Sequence, residues 1–317
     1  MSKKGLIQLI FMFGITIALG LYIKKNIHQI MMTLAIKPLY LICLVVLNLI
    51  NKFFLGLKMK KIMESFKIRL SFLEWFGSSV VNNFYNYLAP KSGTIIVGAY
   101  FKNKYKLDYN KYAGLVLTTA IITVLTSGLG GMVASIYLFN RHLVANLLLP
   151  AVCFILFAVP VAVMIMPRVY LPKRAAFNKP LGRFINKFLY GWHRLRKDKK
   201  MLLWLSLLDI GIVLQLALRY YILFRVFSMN VNFMACILIS PFNIITHFAT
   251  LIPGGYGVKE ATIGIVSKAT GIGFSPGLIT TLSDRIIMMT LSFITGPIFS
   301  FLLLKKVFII QKKGISK

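Results

Sequence analysis

Residues 233–272, FMACILISPFNIITHFATLIPGGYGVKEATIGIVSKATGI, form an apolar stretch interrupted near its middle by Pro253-Gly254-Gly255-Tyr256-Gly257. Proline lacks the amide hydrogen a helix needs, and glycine supplies the bend, so the stretch reads as two helical limbs joined at a break. Each limb is too short to cross a bilayer core of about 30 Å comfortably, which needs roughly 20 residues. The economical reading is a hairpin that dips into the membrane and returns. Residues 72–104 have the same construction, interrupted by Ala89-Pro90-Lys91-Ser92-Gly93.

Working outward, six stretches are long and apolar enough to span: 5–23, 38–57, 111–139, 143–167, 201–228 and 276–304. The composition agrees, with 58% hydrophobic residues and 14% charged. Soluble domains carry about a quarter charged residues, so the solvent for this surface is lipid. Ser2-Lys3-Lys4 before an apolar run resembles the start of a signal peptide. The run is long for that role and has no convincing cleavage site, so 5–23 is expected to stay as the first span.

The 38 Lys and Arg against 7 Asp and Glu give a net charge of +31. Nucleic acid is one reading of such a charge. The bases cluster in short segments between apolar stretches, however, which is the positive-inside pattern. With the N-terminus in the cytoplasm, Lys3, Lys4, Lys58, Lys60, Lys61, Lys67 and Arg69 fall inside. So do the lysines around the first hairpin, eleven bases in the loop 168–200, and the basic tail. Lys24, Lys25, Lys37 and Arg141 fall outside. The expectation is a multi-pass protein of the cytoplasmic (inner) membrane with both termini cytoplasmic, facing anionic lipid head groups and no nucleic acid. Within 168–200, Phe177, Leu181, Phe184, Ile185, Phe188, Leu189 and Trp192 recur at helical spacing among bases. That pattern predicts an amphipathic helix on the cytoplasmic leaflet, with a solvated linker as the alternative.

An internal repeat follows from the breaks. Leu88-Ala89-Pro90 answers Leu251-Ile252-Pro253 at an offset of 163 residues, and Gly93 answers Gly257 with one residue of slack. The same offset carries the span starting at 38 onto the span starting at 201. Helix-start signals follow both hairpins, at Asp108 and at Ser275-Pro276. Each half, 1–140 and 141–317, then reads span, span, hairpin, span. Three crossings per half is odd, so the second copy is inverted, the build of many secondary transporters. Two unrelated Pro-broken segments in a helical bundle are the alternative. The fold class is therefore an all-α polytopic membrane protein of about six spanning helices plus two re-entrant hairpins in an inverted-topology repeat.

Half-helices ending inside a membrane present unpaired amides that attract anions. Pro253, Gly254, Gly255 and Gly257 let a ligand approach the backbone closely, and Lys259 and Glu260 follow. Pro90, Gly93 and Asn86 are the counterparts in the first hairpin, and Asn82, Asn83, Asn243, Thr246 and His247 make both approaches polar. Ionisable groups at depth cost roughly 2.5–3.5 kcal/mol each on insertion scales. Those present are Asp209, Arg219, Lys259, Glu260, Asp284 and Arg285. Asp284 and Arg285 are sequence neighbours and point apart on a helix, so Arg285 is expected to pair elsewhere, with Glu260 the natural partner. The functional reading is a phosphate-sized anion site lined by Lys259, Arg285 and Arg219. The structural reading is a set of ion pairs pinning the bundle. His247 alone reads as a hydrogen-bonded core histidine. Cys43, Cys153 and Cys236 lie in apolar stretches without a CxxC spacing, so neither a disulfide framework nor a metal site is expected. No cofactor is implied.

The run from Leu251 to Glu260 resembles the Pro-Gly-Gly-x-Gly-x-x-Glu signature of the lysylphosphatidylglycerol synthase transmembrane, or flippase-like, family. The Leu-x-Pro-x-x-Gly of the first hairpin resembles that family's earlier motif. The resemblance covers nearly the whole chain and implies a membrane domain similar to a lipid flippase. Some members add a cytoplasmic domain that joins lysine from charged transfer RNA to phosphatidylglycerol. The chain stops after Lys317, so that transfer is not expected here. In the family's first motif Gly-Glu is usual and a Glu-Arg pair follows in the next helix. Here Thr94 follows Gly93 and Thr118-Thr119 stand in that helix, so the two halves are not symmetric in charge.

Three functions remain. A transporter or flippase of an anionic lipid or lipid-linked glycan precursor uses the opposed hairpins for alternating access. A non-transporting partner of an envelope or glycan-biosynthesis complex uses the basic loop. A membrane-embedded transferase needs paired carboxylates, a metal or a positioned base, and the sequence offers no such constellation and no catalytic residue.

Overall fold

A computed structural model describes residues 37–144, 147–165, 192, 198–249 and 257–315. Among them the chain is helical, without strands. The helices are α1 (Pro38–Glu64), α2 (Phe72–Leu88), α3 (Ser92–Tyr105), α4 (Tyr109–Asn140), α5 (Leu148–Ile165), α6 (Lys199–Val226), α7 (Phe233–Ala249), α8 (Val258–Ala269) and α9 (Phe274–Ile315). Four contain stretches long and apolar enough to cross a bilayer: Pro38–Glu64, Tyr112–Asn140, Lys199–Val226 and Phe274–Leu303. α6 shows how the surface is organised. Leu203, Leu207, Ile210, Leu214 and Leu218 form an exposed stripe at helical spacing, while Asp209, Gln215 and Arg219 are buried on the other face. Apolar outside and polar inside reverses the order of a water-soluble protein and suits a lipid solvent. The molecule is an all-α polytopic membrane protein.

The expected span at 5–23 and nearly all of the basic loop 168–200 lie outside the described residues. Within the expected span at 143–167 the structure describes one apolar helix. It is α5, with Pro160 inside it. The two helix-start signals hold: α4 begins directly after Asp108, and Ser275-Pro276 sits in the first turn of α9, where proline's missing amide costs nothing.

The first break is where the sequence put it. α2 ends at Leu88, Ala89 is extended, and Lys91 turns the chain through a left-handed conformation at φ 59°. The limbs have 17 and 14 residues, about 25 and 21 Å of helix. They lie back to back as a hairpin, closed at both ends. Near the tip, Gly93 packs so tightly that a methyl group there would overlap the Asn82 carbonyl. At the mouth, Glu74 on α2 binds Lys104, the Tyr100 hydroxyl at 2.9 Å and the Tyr105 hydroxyl at 2.8 Å on α3. Glu74 also caps its own helix, accepting from the Ser71 amide at 2.8 Å. The second break lies between α7 and α8, which also pack on each other.

Two polar ties fix the central pair. Lys58 Nζ is 2.5 Å from Asp209 Oδ1, and Asn51 Nδ2 donates to Gln215 Oε1 at 2.9 Å. A later residue on α1 meets an earlier one on α6, so these helices run antiparallel. α2 follows the C-terminal end of α1 and α7 follows that of α6, so the hairpins depart from opposite ends of the pair. Their packing is reciprocal: α2 lies against α1 and α9, whereas α7 lies against α6 and α4.

Candidate functional site

The second hairpin meets α6 and α9 in a buried ionic network. Gly257 is the N-cap of α8, and its φ of 80° and ψ of −43° suit a residue without a side chain. The Gly257 amide donates to Glu260 Oε2 at 2.9 Å. The other oxygen, Glu260 Oε1, is 2.7 Å from Arg285 Nε on α9. One helical step away, Asp284 Oδ1 is 2.6 Å from Arg219 Nε, and Asp284 Oδ2 takes Lys259 Nζ at 3.3 Å. Arg219 also reaches the Met288 sulfur at 3.2 Å. Glu260, Asp284, Arg219 and Arg285 are all at least 94% buried. Isolated charges at such sites are prohibitively costly, and pairing offsets that cost.

This arrangement bears on each residue singled out in the sequence. Arg285 does pair with Glu260, and Asp284 and Arg285 do point to different partners. The cations Lys259, Arg219 and Arg285 do not converge on a vacant anion site, because each faces a carboxylate of the protein. The amide at the start of α8 is likewise occupied, with Glu260 taking the place an anionic ligand was expected to fill. In the first hairpin Gly93 and Asn86 act locally: the Gly93 amide donates to Asn86 Oδ1 at 3.0 Å, and Thr94 Oγ1 donates to Asn82 Oδ1 at 3.2 Å. Asn83 Nδ2 ties α2 to Ser292 on α9 at 2.7 Å. Pro90 is exposed at the tip. Pro253, Gly254 and Gly255, and the side chain of His247, lie outside what is described. Thr118 and Thr119 bond back to backbone carbonyls of their own helix, at 2.9 Å each.

A family model described as the lysylphosphatidylglycerol synthase TM region matches residues 7–296. The chain belongs to that family. No curated protein and no solved structure matches it. Membership in the lysylphosphatidylglycerol synthase TM region accords with the apolar helices long enough to cross a membrane.

Several buried polar groups escaped the sequence reading. Lys58, counted with the cytoplasmic bases, turns inward to Asp209 and to Thr123 Oγ1 at 2.7 Å. Glu74 and Lys104 close the mouth of the first hairpin. Lys52 lies in the middle of α1 at 4% exposure. A lone lysine or asparagine inside an otherwise apolar span was the available signal, and Asn48, Asn51 and Lys52 within 38–57 carry it. Among the described residues no group of three or more His, Cys, Asp or Glu gathers to hold a metal.

Proposed function

We propose that this member of the family moves an anionic lipid, or a lipid-linked glycan precursor, across the cytoplasmic membrane. The head group passes between two oppositely facing hairpins while the acyl chains remain in lipid. The observation that carries this reading is Asp284, one carboxylate shared by Arg219 of α6 and Lys259 of α8. A phosphate offers the same oxygens at the same charge or higher, so it can displace Asp284 from either cation and be handed back when the carboxylate returns. Exchange between an internal and an external anion gives a site that binds and also releases.

In this reading residues 1–140 and 141–317 are inverted copies, with the N- and C-termini cytoplasmic. Support comes from the antiparallel α1–α6 pair, the departure of the hairpins from its opposite ends and the reciprocal packing of α2 and α7. The offset that relates Pro90 to Pro253 also relates Lys52 to Gln215, and the Asn51–Gln215 bond sits at that crossing. A pseudo-two-fold axis there is what such a repeat requires.

The test is reconstitution in liposomes with labelled lipids of several head groups, comparing wild type with Glu260→Ala and Asp284→Asn. Variants that remain folded by gel filtration are compared. Head-group-dependent scrambling by wild type, lost in both variants, is the expected result. Equal scrambling by all three proteins, or none by wild type, refutes it. The full pairing of Lys259, Arg219 and Arg285 favours a second reading, in which the network only pins the bundle of a non-transporting partner in an envelope or glycan-biosynthesis complex. That reading predicts no scrambling, and loss of complex formation when the 168–200 bases are neutralised.

A further inference from the structure

The α1–α6 seam holds a buried cation that the ionic network leaves over. Lys52 is 96% buried, and its ammonium has no hydrogen-bond or ion-pair partner among the described residues. The guanidinium of Arg219 on α6, a charge of the same sign, acts on it. Two further donors on the same faces lack acceptors. Asn48 Nδ2 lies one turn from Lys52 on α1, and Gln215 Nε2 lies one turn from Arg219 on α6. The Asn51–Gln215 bond brings these two faces together. Counting across the seam and the network, five bases (Lys52, Lys58, Arg219, Lys259 and Arg285) stand against three acids, Asp209, Asp284 and Glu260. Buried donors without acceptors and buried charges without counter-charges are rare because each costs free energy. Lys52, Asn48 and Gln215 each present a buried donor without an acceptor, and three such donors beside an excess of positive charge specify an oxyanion.

We infer that Lys52, with Asn48, Gln215 and Arg219, forms an occluded binding site for a phosphate-type oxyanion at the crossing of α1 and α6. The site deepens the transport reading and rests on it only for the claim that the oxyanion belongs to a moving head group. Lys52 is the binding residue, the two amides orient the oxygens, and Arg219 is shared between this site and Asp284. Because the ammonium is closed off, the oxyanion enters only when α1 shifts against α6, the motion alternating access requires.

Binding is measured without transport. Purified full chain in a neutral detergent is melted alone, with inorganic phosphate, with phosphatidylglycerol and with phosphatidylcholine micelles, for wild type, Lys52→Met and Lys52→Arg. Wild type is stabilised by phosphatidylglycerol; stabilisation by inorganic phosphate as well shows that the anion alone suffices. Lys52→Met melts at or above wild type when no anion is added, because it removes an uncompensated charge. It binds the anion roughly thirtyfold or more weakly, and Lys52→Arg restores most of the affinity. Lys52→Met that melts well below wild type or fails to fold, or anion stabilisation undiminished by it, overturns the site. Binding that survives while liposome scrambling is absent refutes transport and leaves the site standing. Scrambling that survives Lys52→Met refutes the site and leaves transport standing.

Discussion

Severing Glu260 from Arg285 is the sharpest perturbation of the ionic network. Glu260 does two jobs with its two oxygens. It accepts the Gly257 amide at 2.9 Å, capping α8, and it holds Arg285 at 2.7 Å across to α9. Loss of an N-terminal cap costs about 1 kcal/mol. Removing one partner of a buried ion pair costs about 3–5 kcal/mol, because the other charge keeps its desolvation penalty. Glu260→Ala is therefore expected to destabilise by about 4–6 kcal/mol, and Glu260→Gln, which keeps an acceptor for the cap, by about 3–5 kcal/mol. Arg285→Met alone falls in the same range of about 3–5 kcal/mol by the same argument. The double variant Glu260→Gln/Arg285→Met removes both charges and keeps the volume, so it should lose only about 1–2 kcal/mol. The coupling energy of this cycle is then at least about 4 kcal/mol. Unfolding of the purified chain in detergent, followed by tryptophan fluorescence or gel filtration after heating, measures all four proteins. Additive losses, with coupling below about 0.5 kcal/mol, refute the pair as the tie between the second hairpin and α9.

Other contacts give independent expectations. Gly93→Ala forces the limbs of the first hairpin apart at Asn82 and should cost about 1–3 kcal/mol, read as a lower melting temperature, whereas Gly271→Ser, in open space at the surface, should cost only the strain of its positive φ. Lys58→Met and Asp209→Leu should each destabilise by about 3–5 kcal/mol, while the double variant recovers most of the loss; equal damage in single and double variants contradicts the Lys58–Asp209 tie. Glu74→Gln removes the charge that Lys104 answers and weakens the bonds from Tyr100 and Tyr105, so limited proteolysis near Lys106 should quicken with the core of the bundle unchanged.

The sequence made the fold's punctuation legible and left its interior contacts obscure, for physical reasons. Pro90 and Pro253 announce breaks because a missing amide is a local property. Asp108 and Ser275-Pro276 announce starts for the same reason. The Glu260–Arg285 pair was accessible because two charges deep in apolar sequence must find each other, and Asp284 beside Arg285 points elsewhere on a helix. Gly93 and Asn86 were harder. Gly93 on α3 meets Asn86 and Asn82, both on α2, so their role as hairpin packing depends on a contact between limbs and not on composition. Lys52 and Lys58 were missed because a span tolerates a single base in a hydropathy window. Near a span's end, moreover, a base reads as belonging to the membrane surface. Burial of Lys58 depends on Asp209, 151 residues later, which no local pattern reports.

The claim on which the rest depends is that the two hairpins open to opposite sides of the membrane. Single cysteines at Arg69, just before the first hairpin, and at Asn230, just before the second, both exposed, test it in a background lacking Cys43, Cys153 and Cys236. A membrane-impermeant maleimide applied to intact cells should label Asn230→Cys at once and Arg69→Cys only after the membrane is opened. Labelling of both from one side contradicts the account.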